Sequence, residues 1–473
     1  MNTPEQKQIR TIFSILLVVT GAIMMARLVN AELLVEPSLY KQNPSRKWPA
    51  SAPGAWPTFS SNDRVRWATV RSLAENNTFE IGQRIEDPTT PKGYRDEGIL
   101  FEDGFKSVDA VLHPDRKVFY GTKTPLLVMM AAGEYKIILK YCNIRMAEKP
   151  WHVVIPILTT LHILPLLLAL FLLGRLICSW AISDWGKIFT FSSACFGTFL
   201  TTFAMTFNNH VPAACCLFYV VYLLFAPDTT WSVGRLFLAG LLAGLATAFD
   251  YPMAALGGCI FAVLLLTRWK TSLLFLLAML VFPAIQTVIN YKAYGIYEPI
   301  YSKFGTAWYE YEGSHWNKVN LTPPPTGIDF LNQPKHIYAV NLTFGHHGLF
   351  SLTPVFLIGL IGLFFAPKWL SREQKYLWWT SIPMILAVIG YFVATTNNYA
   401  GWSCGPRWLF GLIPSLLLGL VRASDYLGSK CILRWTAYVC LGLSIFAAQY
   451  CAFNPWRYPW LLQWSQYQGL TNY

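Results

Sequence analysis

The sequence predicts an all-α fold: a polytopic transmembrane bundle of about 11 spanning helices, with a large first external loop carrying juxtamembrane helices. Three observations lead there. The 473-residue chain is 54% hydrophobic and 13% charged, about half the charged share of a soluble domain. Apolar stretches long enough to cross a bilayer recur throughout residues 152–452. Residues 32–150 interrupt the pattern as one polar block that holds 15 of the 25 acidic residues. A soluble protein of this size could not cover its surface with so few charges.

Four regions follow: an N-terminal membrane helix at 1–31, an external loop at 32–150, a multi-helix membrane domain at 151–452 with its own external loop at 291–346, and an external tail at 453–473. The first helix runs from Ile12 behind Lys7 and Arg10. Val29-Asn30-Ala31 also fits a signal-peptide cleavage site. Arg27 and Asn30 suit a helix end at the interface, so the segment is read as an uncleaved span. Spanning segments are expected at 11–30, 152–178, 188–207, 211–226, 235–249, 252–267, 271–290, 347–366, 377–396, 407–421 and 432–452.

Basic residues set the orientation. Lys7 and Arg10 place the N-terminus inside, as do Arg268 and Lys270, then Lys368, Arg372 and Lys375, then Arg422, Lys430 and Arg434 for their loops. Loop 291–346 balances four Lys against four acids and falls outside. The stretch 125–141 looks helical but carries Glu134, Lys136 and Lys140. If it spanned, every later basic loop would lie outside. It is therefore laid in the interface. Trp456, Trp460 and Trp464 are expected at the lipid boundary. The net charge of +12 belongs to helix flanks, and no basic–aromatic repeat suggests nucleic acid. The 10 cysteines form no metal-binding spacing.

This topology puts every polar cluster on one face. Asp63 follows Ser60-Ser61-Asn62 at a helix start, where it either caps the helix or serves as a general base or hard-cation ligand. Lys123 precedes Pro125; it either snorkels or neutralises a phosphate. Asn208-Asn209-His210 and Asp250-Tyr251-Pro252 join helices. Turn chemistry explains the Asn pair; an acid at a membrane helix end is a functional candidate. His346-His347 opens a helix, and adjacent His would point apart there. The run Asn397-Asn398-Tyr399-Ala400-Gly401-Trp402-Ser403-Cys404-Gly405-Pro406-Arg407 has glycines for a tight backbone and an Arg suited to a phosphate fork. Loop 291–346, with Pro323-Pro324-Pro325, is rich in aromatic faces that suit sugars, isoprenoids or the interface.

In the order and spacing of these motifs, from about residue 11 to 421, the chain resembles the GT-C superfamily of membrane glycosyltransferases, especially the aminoarabinose and protein-mannosyl transferase branch. Asn62-Asp63-Arg64-Val65-Arg66-Trp67-Ala68 looks like that family's acidic motif, with Arg64 where a second acid is common. Lys123-Thr124-Pro125 looks like its entrance to a juxtamembrane helix, with Thr122 where an acid often stands. The resemblance implies an integral protein of a bacterial inner membrane, with its site on the external face. It implies a polyprenyl-phosphate-linked sugar donor, attacked by an external acceptor with inversion. Asp63 would be catalytic, and Lys123 and Arg407 would bind the donor phosphate. Arg66, Asp109, His210, Asp250, Tyr251 and His346 would line the pocket. The cofactor is left open between none and a divalent cation, whose ligand would be Asp63. The rival readings are a transporter or lipid flippase, disfavoured by the lack of internal repeats, and a non-catalytic relative.

Overall fold

The computed structural model describes residues 4–30 and 60–471, apart from 103, 182, 227–229, 318–327, 332 and 397. Pro323-Pro324-Pro325, Asn397 and most of the stretch before Ser60 lie outside the described residues. Among those described, six helices are long and apolar enough to cross a membrane: Pro4–Val29, Trp151–Trp180, Trp269–Tyr294, Arg372–Thr395, Arg407–Leu427 and Cys431–Tyr450. Three shorter apolar helices, His210–Phe225, Val233–Phe249 and Tyr251–Thr267, pack among them. The chain is a helical integral membrane protein. Two expected spans are broken. The 188–207 segment stops at Phe196 and resumes as Leu200–Phe203, and 347–366 divides into Leu349–Leu352 and Val355–Leu363. Gly197 and Pro354 sit at the breaks; neither favours a continuous helix.

Side-chain contacts separate two ends of the bundle. At one end Asp425 accepts from the Ser183 amide at 2.9 Å, and Arg268 bridges Glu373 at 3.1 Å. At the other end lie Asn208, Asp250, Arg407 and the polar block. Successive helices therefore alternate in direction as the basic loops require. The helix carrying Arg407 is held by backbone contact. A Cβ on Gly362 would meet the Gly419 carbonyl oxygen at 1.9 Å, so only glycine lets these helices touch.

The polar block is not wholly helical. After α1 (Pro4–Val29) and α2 (Ser61–Glu75) comes a small antiparallel sheet of β1 (Gly82–Glu86), β2 (Tyr94–Glu97), β3 (Ala110–Leu112) and β4 (Val118–Gly121), in the order β2-β1-β4-β3. The sequence reading missed it. β1 carries Arg84 and Glu86 and β2 carries Arg95, Asp96 and Glu97, and the 87–93 turn closes through the Asp87 amide on the Gly93 carbonyl at 2.9 Å, with Gly93 at φ 72°. The aromatic loop covers this sheet instead of facing lipid. Tyr294, Ile300, Trp308 and Tyr309 form a core with Val111 and Tyr120, and the Leu112 amide bonds the Trp308 carbonyl at 3.0 Å.

α3 (Pro125–Cys142) is a helix of 18 residues that packs on α2 and is not among the helices apolar enough to cross. Tyr135 in α3 donates to Glu75 at 2.5 Å, which holds its charged flank to the polar block. Two native thiols test the orientation. Cys142, at the end of α3, and Cys431, beside Lys430, are both exposed. With α3 in the interface, Cys142 reacts with an impermeant maleimide on intact cells, and Cys431 reacts only after lysis. The reverse pattern would invert the topology.

Candidate active site

Ser60 has extended backbone and caps α2: its hydroxyl accepts from the Asp63 amide at 3.2 Å. Asp63 is thus the third residue of the helix and not its cap, which overturns one of the two readings its sequence allowed. Its side chain is fully buried. Oδ2 accepts from the Trp456 indole Nε1 at 2.6 Å, and Oδ1 has no hydrogen-bond partner of standard geometry. Burial raises the Asp63 pKa to about 7, against the opposing pull of Arg66, the Trp456 bond and the backbone amides of Phe207 and Ser60. A carboxyl poised there can exchange a proton near neutral pH.

One turn on, Arg66 is also buried. It donates to the Asn62 carbonyl at 3.0 Å and to the Asn62 side chain, and its Nη2 reaches Asn209 Oδ1 at 2.6 Å. Burial draws its pKa down to about 10. Asn209 in turn donates to the Phe249 carbonyl at 2.9 Å. The Asn pair therefore divides its labour. Asn208 shapes the turn, accepting from the Val211 amide at 3.0 Å, while Asn209 ties Arg66 to the helix end before Asp250.

β4 delivers Lys123. Gly121 lets the strand press on α2, where a Cβ would meet Thr69 Oγ1 at 2.9 Å. Two residues later Lys123 Nζ pairs with Asp109 Oδ1 at 2.7 Å, with under a fifth of either side chain exposed. Burial pushes the Asp109 carboxyl upward, but Lys123, Arg407 and Arg66 together hold it below its ordinary value. Burial is also the largest influence on Lys123; with the repulsion of Arg66 and Arg407 it lowers the ammonium in spite of Asp109. Lys123 and Arg407 thus act on one another and on one carboxylate. A snorkelling lysine would do neither.

Arg407 begins the 3₁₀ turn Arg407–Leu412. Its Nη1 lies 2.9 Å from His210 Nε2, and His210 Nδ1 lies 2.6 Å from Asp250 Oδ2. A guanidinium only donates, so Nε2 must accept and Nδ1 must carry the proton to Asp250. The result is a neutral imidazole of one fixed tautomer between carboxylate and guanidinium. Arg407 Nη2 donates to the Ala400 carbonyl at 3.0 Å. Ala400 holds φ at 72° and Gly401 at 65°, and left-handed backbone at an alanine is costly. That turn aims the carbonyl at the arginine.

Trp456 is the residue sequence reasoning placed elsewhere. It was expected at the lipid boundary, but it is buried, with its indole on Asp63 and its ring 4.9 Å beneath the Arg407 guanidinium. The Cys404 amide holds Pro455 at 3.0 Å, which carries the tail into the site. Nothing in the spacing of three tryptophans distinguishes this one. His162 was also missed. It sits on a π-helical turn, Thr159–Ile163, with Nε2 2.8 Å from the Asn208 carbonyl; such turns favour functional sites.

Asp63, Arg66, Asp109, Lys123, His210, Asp250 and Arg407 are brought together; Arg66 and Arg407 each feel Asp63, Asp109 and Asp250. Tyr251 stands at the edge, accepting from Gln286 at 2.9 Å and meeting the Tyr301 ring at 6.0 Å. His346 is not brought into the cluster. Its Nδ1 faces His347 Nδ1 at 2.5 Å, and both rings pack on Tyr399. The two imidazoles meet, contrary to expectation, because they lie in a turn and not a helix. Among the described residues no three His, Cys, Asp or Glu side chains could hold a metal ion. The donors around Asp63 are an arginine, an indole N–H and amides, and that set does not fit a cation.

No family profile matches the chain, and no curated protein matches its sequence. Among solved structures the chain is similar to ArnT from Cupriavidus metallidurans bound to undecaprenyl phosphate, at 14% identity and a TM-score of 0.48, over 89% of this chain and 61% of that one. It is also similar to the oligosaccharyltransferase of Archaeoglobus fulgidus, at 12% identity and a TM-score of 0.45, over 93% of this chain and 55% of that one. The chain thus spans under two thirds of the length of either.

Two substitutions separate capping from chemistry. Ser60→Ala should cost about 1 kcal/mol of stability and leave any activity intact. Trp456→Phe keeps a ring under Arg407 but removes the bond that favours ionised Asp63. If Asp63 is the base, the acid limb of kcat/KM, expected near pH 7, moves to higher pH by about one unit. An unmoved limb would remove Asp63 from the rate profile.

Proposed function

We propose that this protein is a membrane glycosyltransferase, moving a sugar from a polyprenyl-phosphate donor to an acceptor on the external face of a bacterial inner membrane. The observation that carries the reading is the convergence of Asp63 with Arg66, Lys123 and Arg407 at one end of the bundle. A carboxyl with a pKa of about 7, two buried arginines and a half-buried lysine suit one reaction class: removal of a proton from a nucleophile while an anion departs.

The step is a single displacement. The acceptor hydroxyl oxygen attacks the anomeric carbon as the bond from that carbon to the donor phosphate oxygen breaks. The acceptor proton passes to Asp63, and the electron pair leaves with the lipid phosphate. One displacement inverts the anomeric centre. Lys123 and Arg407 meet the charge that grows on the leaving oxygen. Donor phosphate competes with Asp109 for Lys123, so that ion pair opens on binding. Asp250 and His210 hold the Arg407 fork in place, and Arg66 keeps part of the Asp63 population ionised. The acceptor must also displace the Trp456 indole from Oδ2.

The test is turnover of a polyprenyl-phosphate sugar by the purified protein. Asp63→Asn preserves shape and the α2 cap but cannot take the proton. It should insert and melt as the parent does, yet lose about 10²–10⁴ in rate. Near-full activity in that variant would send the search for the base to Asp109, Asp250 or His210. His210→Phe should instead free the Arg407 fork, weakening donor binding with Asp63 intact.

A further inference from the structure

The charged cluster is closed. The cavity between Arg66 and Lys123 amounts to about 10 Å³, too small for any sugar. A cleft of about 520 Å³ opens nearby, between the helices Lys335–Thr343 and Trp460–Tyr467, within the ordinary range of ligand sites. Its polar lining consists of two amides, Gln333 and Asn341, two hydroxyls, Ser465 and Thr471, and the His346 imidazole. Burial draws His346 down to about 4, so it too is neutral. Among the described residues none that lines the cleft is charged. An ionic ligand would leave its charge uncompensated there, whereas neutral donors and acceptors in this density match hydroxyl groups. Trp464 adds an indole that is 52% exposed, a flat surface for the C–H face of a sugar ring.

The cleft is wired to the cluster. Tyr399 donates to Gln333 Oε1 at 2.5 Å, and its ring lies 5.1 Å from His346. The next residue, Ala400, gives its carbonyl to Arg407. One strained turn thus backs two residues of the cleft wall, Gln333 and His346, through Tyr399 and anchors Arg407 through Ala400.

We propose that this cleft is the acceptor subsite and that it takes an uncharged, hydroxyl-rich sugar. The inference rests on the glycosyltransferase reading above. It places the acceptor body outside the closed cluster and sends only its reacting hydroxyl toward Asp63. It also makes acceptor binding readable without turnover.

The experiment uses the full chain in phospholipid nanodiscs, free of sugar-headed detergent. Binding is measured on an array of neutral and acidic oligosaccharides, and to liposomes bearing neutral glycolipids. The parent and Asp63→Asn should both retain neutral glycans and reject sialylated, uronate and phosphorylated ones. Binding on the array alone marks a soluble sugar; binding on liposomes alone marks a lipid-borne one. Trp464→Ala and Ser465→Phe, the second filling the cleft, should each weaken binding about tenfold with unchanged melting. Retention of no neutral glycan, equal retention of acidic ones, or binding unchanged in both variants would overturn the subsite. Glycan binding without any turnover of lipid-linked sugar would leave the cleft standing and sink the enzymatic reading instead.

Discussion

Ionised side chains withdrawn from water must answer one another, and the polar end of this bundle is arranged around that requirement. Three carboxylates, Asp63, Asp109 and Asp250, face three cations, Arg66, Lys123 and Arg407, with a neutral His210 between them. Removing a fully ionised partner such as Asp109 or Arg407 from such a set costs about 3–5 kcal/mol, because the other is left uncompensated; Asp63, whose pKa is about 7, already gives up part of its charge near neutral pH. The stretches that supply them, α2, β3–β4, the two helix joints and the 397–407 run, are therefore fixed relative to one another by charge as well as packing. A site held that firmly needs little reorganisation when charge moves within it.

The rest of the polar block serves as walls. The small sheet places Asp109 just before β3 and Lys123 two residues beyond β4, so the pairing of Ala110 with Gly121 brings the two side chains to the same end of the sheet. The aromatic loop then closes over that sheet. Its Trp316 donates to the Val108 carbonyl at 2.7 Å, beside Asp109, and Tyr309 lies in reach of the same carboxylate. Water is excluded on one side by these rings and on the other by Trp456. Such exclusion lowers the local dielectric, which strengthens each charge interaction and lifts the Asp63 carboxyl toward neutrality.

Much of this was legible in residue order. Most spans followed from apolar length, although 188–207 and 347–366 are broken, and the shared end of Asp63, Lys123, Asn209, Asp250 and Arg407 followed from the alternation of basic and other loops. The sheet was not legible. Its strands run three to five residues, and β1 and β2 are rich in charge and lack the apolar alternation that would mark a strand. The turn at Asp87–Gly93 was the one available signal. Trp456 was misjudged for another reason. An aromatic near a membrane helix end has the same local sequence whether it meets lipid, a neighbouring ring or a carboxylate.

By itself, then, the sequence determined the membrane bundle, the alternation of its helices and the set of ionisable residues gathered at one end. Each of these rests on a bulk property, either transfer of apolar length into hydrocarbon or the bias of cationic loops, and bulk properties add along the chain. Only the tertiary structure decided which oxygen meets which nitrogen: that Ser60 and not Asp63 caps α2, that His210 is neutral with its proton toward Asp250, that Trp456 covers the base, and that His346 faces a separate uncharged cleft. All but the Ser60 cap depend on contacts between residues far apart in the chain, such as Asp63 with Trp456 and His210 with Arg407. No local pattern encodes a hydrogen bond whose partners are joined only by the fold.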